Sequence, residues 1–183
     1  MFDEDVADLR TLLTARGGEP VHLIGHSDGG TVALLLAARA PELVSSVAVV
    51  AVHVRGDATT VATLRRMGPP DQWPEQMRRS LRRAHGDDWA DVAGRWHSLW
   101  TSAAWEDWSI VDELSRVTRP VYAMHSLHDD LSPPLHAEAI RDAVPGARLT
   151  WVKASTHDPH RDQPERFAAG LRSLWRDAES VRG

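Results

Sequence analysis

Apolar positions along this chain alternate between helical and strand spacing. Val6, Leu9, Leu12 and Leu13 recur at helical spacing, and Gly17-Gly18 closes the helix they predict. Val21-His22-Leu23-Ile24 follows, a short apolar run ending in glycine, which predicts a buried strand. Thr31 to Arg39 is an unbroken run of helix formers, with Pro41 just beyond it. Val44 to Val52 predicts a second strand, Pro120 to Met124 a third and Ala147 to Val152 a fourth. Leu135 to Val144 predicts a helix stopped by Pro145-Gly146, and Phe167, Leu171, Leu174 and Trp175 form a last helical stripe. Strands alternating with helices predict an α/β fold built on a parallel sheet of about four strands.

One interval, from about residue 56 to 118, breaks this rhythm. It is polar, helical in pattern and rich in tryptophan: Trp73, Trp89, Trp96, Trp100, Trp105 and Trp108. An insertion of this kind after a strand predicts a helical lid over the strand ends. Trp96 and Trp100, four apart, are read as packing residues of that lid whose inner face also lines a substrate pocket.

Composition narrows the function classes. The chain has 183 residues, enough for one domain with a real core, and carries a formal net charge of -5. That balance predicts no general affinity for nucleic acid or an anionic membrane. The pairs Arg65-Arg66, Arg78-Arg79 and Arg82-Arg83 read as solvated helix surface, since acidic residues lie among them. Cysteine is absent, which excludes a disulfide framework, a thiol nucleophile and cysteine-ligated zinc. The start Met1-Phe2-Asp3-Glu4-Asp5 is acidic and no apolar run reaches membrane-spanning length, so a soluble, cytoplasmic protein is expected.

Candidate chemistry begins at Gly25-His26-Ser27-Asp28-Gly29-Gly30, between the first strand and its helix. Strand, G-x-S-x-G, helix is the context of a nucleophile elbow, in which Gly25 and Gly29 are expected to let the backbones approach closely. A serine hydroxyl needs a base to remove its proton and an acid to orient that base. Asp129 lies in the loop after the third strand, His125 to Pro134, and His157 lies in the loop after the fourth, Ser155 to Glu165. Serine, acid and histidine thus follow in the order that elbow enzymes use, at one end of the sheet.

These segments resemble those of the α/β-hydrolase fold superfamily, in its branch of serine esterases, lactonases and carbon–carbon hydrolases. Gly25 to Gly30 matches the G-H-S-x-G-G elbow, His125 to Pro133 resembles H-G-x-x-D-x-x-x-P, and Thr156 to His160 with Pro164-Glu165 and Phe167 resembles G-H-x-x-H…P-E-x-F. Ser126 and Thr156 stand where that pattern has glycine. The resemblance implies Ser27 as nucleophile, His157 as base and Asp129 as acid, with the Asp28 N–H donating to the oxyanion. It implies no cofactor, no metal, a small ester or lactone as substrate, and His26, Trp96 and Trp100 as substrate-contact candidates. Asp130 and Asp57 remain alternative acids, His160 an alternative base, and His125, His128, His157 and His160 an alternative metal-ligand set. The family's plan also places four strands before the elbow strand, so the chain is expected to lack them. The expected consequences are an elbow strand at the sheet edge, open to self-association, and one of three outcomes: a piece of a longer hydrolase, a truncated chain that is impaired and acts, if at all, as an interaction module, or a minimal hydrolase drawing its second oxyanion donor from the lid or another subunit.

Overall fold

Val44 to Val50 is a β-branched run without one exposed residue, and in the computed structural model it forms an inner strand. The structure describes residues 1–153 and 156–180; Ser155, the first residue of the expected base loop, lies outside them. In chain order the elements of the sheet region begin with α1 (Asp3–Ala15), β1 (Val21–His26), α2 (Asp28–Arg39) and β2 (Val44–Val50). The inserted interval holds α3 (Ala58–Met67), α4 (Glu75–His85), α5 (Trp89–Trp100) and α6 (Ala103–Glu106). The chain continues with α7 (Val111–Leu114), β3 (Val121–Ser126), α8 (Leu135–Ala143), β4 (Arg148–Val152), α9 (Pro159–Asp162) and α10 (Pro164–Ser180).

The strands form one parallel four-stranded sheet in the order β1-β2-β3-β4. Burial follows that order. Every residue of β2 and β3 is buried, as parallel strands covered on both faces must be, whereas β1 and β4 at the edges are mixed. Helix α2 packs on β1 and β2, and α10 on β2 and β3. One core cluster joins Ala48, Val50, Tyr122, Met124, Val152 and Leu174, with Phe167 and Leu171 against it. Ile24 on the edge strand β1 is 54% exposed.

Boundaries differ from the sequence expectation where one residue makes a turn. Ser27 has φ 52°, so it turns the chain alone and α2 starts at Asp28 rather than Thr31. Ala51, at φ 47°, ends β2 before Val52. α1 closes as expected, with Gly17 and Gly18 at φ 107° and 71° and the Gly18 N–H donating to the Leu13 carbonyl at 3.1 Å.

The chain divides into two compact units, 1–54 with 109–183, and 55–108. The second is the tryptophan-rich helical insertion, and it ends ten residues before the expected limit of 118. Residues 109–119 belong with the sheet because Ile110 donates its N–H to the Val54 carbonyl at 2.8 Å and buries its side chain with Leu114 and Val117. Within the helical unit a ladder of tryptophans makes the core: Trp73 to Trp96, Trp96 to Trp100, Trp100 to Trp105 and Trp105 to Trp108, at centroid distances of 6.2, 5.6, 3.9 and 4.7 Å. Among the described residues, no helix is long and apolar enough to cross a membrane.

Candidate active site

Parallel strands end together, and the chemistry-bearing loops leave the sheet at that common end. β1 ends at His26, paired with Val50, and the Ser27 N–H still donates to the Val50 carbonyl at 2.9 Å. At φ 52° and ψ −124° Ser27 holds a backbone conformation that non-glycine residues rarely adopt. The tightness of the turn falls on particular glycines. A Cβ on Gly25 would lie 2.3 Å from the Gly29 carbonyl oxygen, and one on Gly30 would lie 3.0 Å from Val52. Gly29 itself faces open space. The expectation that Gly25 and Gly29 both relieve crowding is therefore corrected: Gly29 offers its backbone to Gly25, and the second crowded position is Gly30.

At this end of the sheet Ser27 and His157 meet, with His157 Nε2 3.0 Å from Ser27 Oγ. On the other side of the ring, His157 Nδ1 lies 2.8 Å from Asp129 Oδ2. An ionised carboxylate only accepts, so the Nδ1–H donates to Asp129 and Nε2 is left to accept from the serine hydroxyl. The Asp129 side chain is 2% exposed and that of His157 21%. Asp129 Oδ1 accepts the backbone N–H groups of Leu131 and Ser132 at 2.9 and 3.1 Å. Burial pushes the Asp129 carboxyl up, but the His157 hydrogen bond and charge and those backbone donors outweigh it, holding the group below the usual carboxylate range.

Two buried histidines hold the acid loop. His53 Nε2–H donates to the Leu131 carbonyl at 2.5 Å and His125 Nε2–H to the Ser132 carbonyl at 2.6 Å. Ser132 Oγ in turn donates to the Val52 carbonyl at 2.9 Å. Burial pulls the His125 imidazole down to about 4, so it stays neutral and keeps one N–H. The base loop is held similarly. Ser126 Oγ donates to the Thr156 carbonyl at 2.7 Å, and His26 Nε2–H to the His157 carbonyl at 2.8 Å. Thr156 Oγ1 also donates to the Asp162 carboxylate and accepts the Asp158 N–H at 3.3 Å. The residues that replace glycine in the resembled motifs thus both brace the base loop, Ser126 from the end of β3 and Thr156 from within it.

The alternatives are separated by position. Asp57 caps α3, accepting the Thr60 N–H at 2.8 Å, and Asp130 is exposed. His160 packs against His26 and Phe167 at centroid distances of 5.2 and 5.8 Å, and burial with the neighbouring His26 holds it below the ordinary imidazole range. The ligand set His125, His128, His157 and His160 is not gathered. Among the described residues the one group close enough to hold a metal ion is His26, Asp158 and His160, with ligand atoms within 4.8 Å of one another. Sequence spacing did not suggest this group, because His26 comes from a different strand end. Its His26 Nε2 already serves the His157 carbonyl, so the group reads as a hydrogen-bonded brace.

Residues 2–170 match the model of the alpha/beta hydrolase family. The serine hydrolase BPHL of Homo sapiens is 27% identical over 185 residues, which cover 96% of this chain and 60% of that protein. The chain therefore spans less than two thirds of that relative's length. Rhodomycin D methylesterase DnrP of Streptomyces peucetius is 28% identical over 201 residues, 85% of this chain and 67% of that one. An alpha/beta fold family hydrolase from Bacillus anthracis superposes with a TM-score of 0.71 at 18% identity, over 93% of this chain and 73% of that one, a likeness of fold.

Proposed function

The chain belongs to the alpha/beta hydrolase family, and on that premise we propose that it is a serine hydrolase acting on a small carboxylic ester or lactone. The observation that carries this reading is the continuous contact from Ser27 Oγ through His157 to Asp129, at 3.0 and 2.8 Å. His157 Nε2 takes the hydroxyl proton as Ser27 Oγ attacks the carbonyl carbon. Asp129 keeps the proton on Nδ1 and stabilises the imidazolium. The proton then passes to the leaving alcohol, and water, activated by the same histidine, releases the acid from Ser27. The Asp28 N–H, at the first turn of α2, donates to the oxyanion, a contribution of about 10²–10³ in turnover for one such donor. Carbon–carbon cleavage on the same machinery is the variant reading.

The esterase reading is supported in kind by the methylesterase among the relatives. The test is labelling of the purified protein with a fluorophosphonate and release of nitrophenol from 4-nitrophenyl esters, beside Ser27→Ala. Both signals are expected to require Ser27. A folded protein that neither labels nor hydrolyses would remove the enzyme reading. A second reading, an interaction module, is favoured by the β1 edge, which has one neighbour in the described sheet and a 54% exposed Ile24. It predicts self-association that charge at Ile24 abolishes.

A further inference from the structure

We propose that Ser126 and His26 are positioning residues that together set the distance of His157 from both Ser27 and Asp129. The inference deepens the reading above and rests on it. His157 lies outside the strands and helices, two residues before the four-residue α9, so no regular element fixes its ring. Its peptide is held instead by side-chain donors on consecutive carbonyls: Ser126 on Thr156 at 2.7 Å and His26 on His157 at 2.8 Å.

Both donors are rooted where they can act on the geometry of the site. His26 directly precedes Ser27 at the end of β1, so its bond ties the histidine's backbone to the serine's strand. Ser126 is the last residue of β3, three before Asp129, so its bond ties the same segment to the acid's strand. The pairing of Ser126 with Val152 aligns β3 and β4 for that reach. The His26 ring also stands edge-on to the His157 ring at 4.9 Å, which limits its tilt. Neither donor touches Ser27 Oγ or a reacting atom, so both act through His157. A glycine at position 126 would have no hydroxyl to offer, so the bond depends on the serine.

The test compares His26→Phe, which keeps a ring but no donor, His26→Gln, which keeps a donor of similar reach, and Ser126→Ala. Turnover of a 4-nitrophenyl ester is expected to fall about 10- to 100-fold in His26→Phe and about tenfold in Ser126→Ala, with KM within about twofold, since misplacement of a catalytic group by about 1 Å costs up to about 10²-fold. His26→Gln is expected to recover most of the loss. The second readout is the low-field proton signal of the His157 Nδ1–H on Asp129. It is expected to be sharp in the parent and in His26→Gln, and broadened in the other two. Unchanged turnover in His26→Phe overturns the proposal, as does a loss confined to KM, which marks substrate contact, or a Gln variant as poor as the Phe variant. If the parent hydrolyses no ester, the function reading fails separately and the proton signal decides: the same signal in all four proteins overturns the positioning role.

Discussion

The acid loop and the base loop are held by the same device, paired side-chain donors on consecutive backbone carbonyls, yet one donor of the base loop, His26, stands near solvent. On the acid side the donors His53 and His125 are 3% and 1% exposed, and they serve the carbonyls of half-buried Leu131 and buried Ser132. On the base side Ser126 is fully buried, but the His26 side chain is 38% exposed. A buried carbonyl that loses its donor stays unsatisfied, at about 1–3 kcal/mol, whereas one near solvent finds water instead. Losing a donor therefore costs stability at His53, His125 and Ser126, whereas at His26 it costs mainly orientation. Asp129 is fixed as the protein folds, and the proposed brace on His157 has one bond open to solvent.

The sharpest break of this comparison is Asp129→Asn. The amide oxygen can still accept the Leu131 and Ser132 N–H groups, so the loop keeps its shape. Its NH₂ then faces His157 Nδ1 and forces the proton onto Nε2, where no proton can be taken from Ser27. Turnover is expected to fall by about 10⁴, a hundredfold beyond the largest loss on the base side. Ester hydrolysis by the two variants measured together gives the ratio. A smaller loss in Asp129→Asn than in His26→Phe would move the acid role away from Asp129.

A pH series sharpens the same contrast on the stability side. His125 is buried against the Ser132 carbonyl, with Asp129, His136 and His157 as its charged or titratable neighbours, and burial lowers it from 6.5 to about 4. Between those values the unfolded chain binds a proton that the folded protein refuses, so stability falls as pH drops from about 6.5 to about 4. The stabilising contribution is complete above the unfolded value, and its loss levels off below the folded one. The expected change is of the order of 3 kcal/mol across that window. Urea midpoints at neutral and acid pH check it, and His125→Gln is expected to flatten the slope. An equal slope in both proteins would assign the acid sensitivity elsewhere.

The strands, their parallel order and the spacing of Ser27, Asp129 and His157 along the chain were legible because they follow from local periodicity and chain order. The braces were not. His26 reads as a substrate-contact candidate, and Ser126 and Thr156 read only as departures from glycine. What each does depends on which carbonyl lies opposite, and that is decided by the register of β3 on β4 and by the path of a loop more than a hundred residues away from His26. His53 was silent for the same reason: one buried histidine after a strand has no pattern that points to the Leu131 carbonyl. The sequence pattern carried the insertion on to about 118 because the short α7, Val111–Leu114, continues its helical, polar character. The Ile110 bond to Val54 and the Arg39 pair with Glu113 assign it to the sheet unit.

The glycines of the turn offer the smallest effect and the cleanest contrast between motif and geometry. By pattern, Gly25 and Gly29 flank Ser27 equally. In the structure a methyl group on Gly25 meets backbone at 2.3 Å, and backbone of a strand end cannot give way, so Gly25→Ala is expected to abolish the fold or the turn. Gly29 is exposed, lies in the first turn of α2, meets nothing within 4 Å and lacks a positive φ. Alanine there removes conformational freedom from the unfolded chain without a clash, so Gly29→Ala is expected to raise stability by about 0.5 kcal/mol and leave ester turnover within about twofold. Thermal melts of the two variants decide it. Equal damage from both would mean that the turn tightens beyond the present geometry when the site works, bringing Gly29 into the contact that Gly25 already makes.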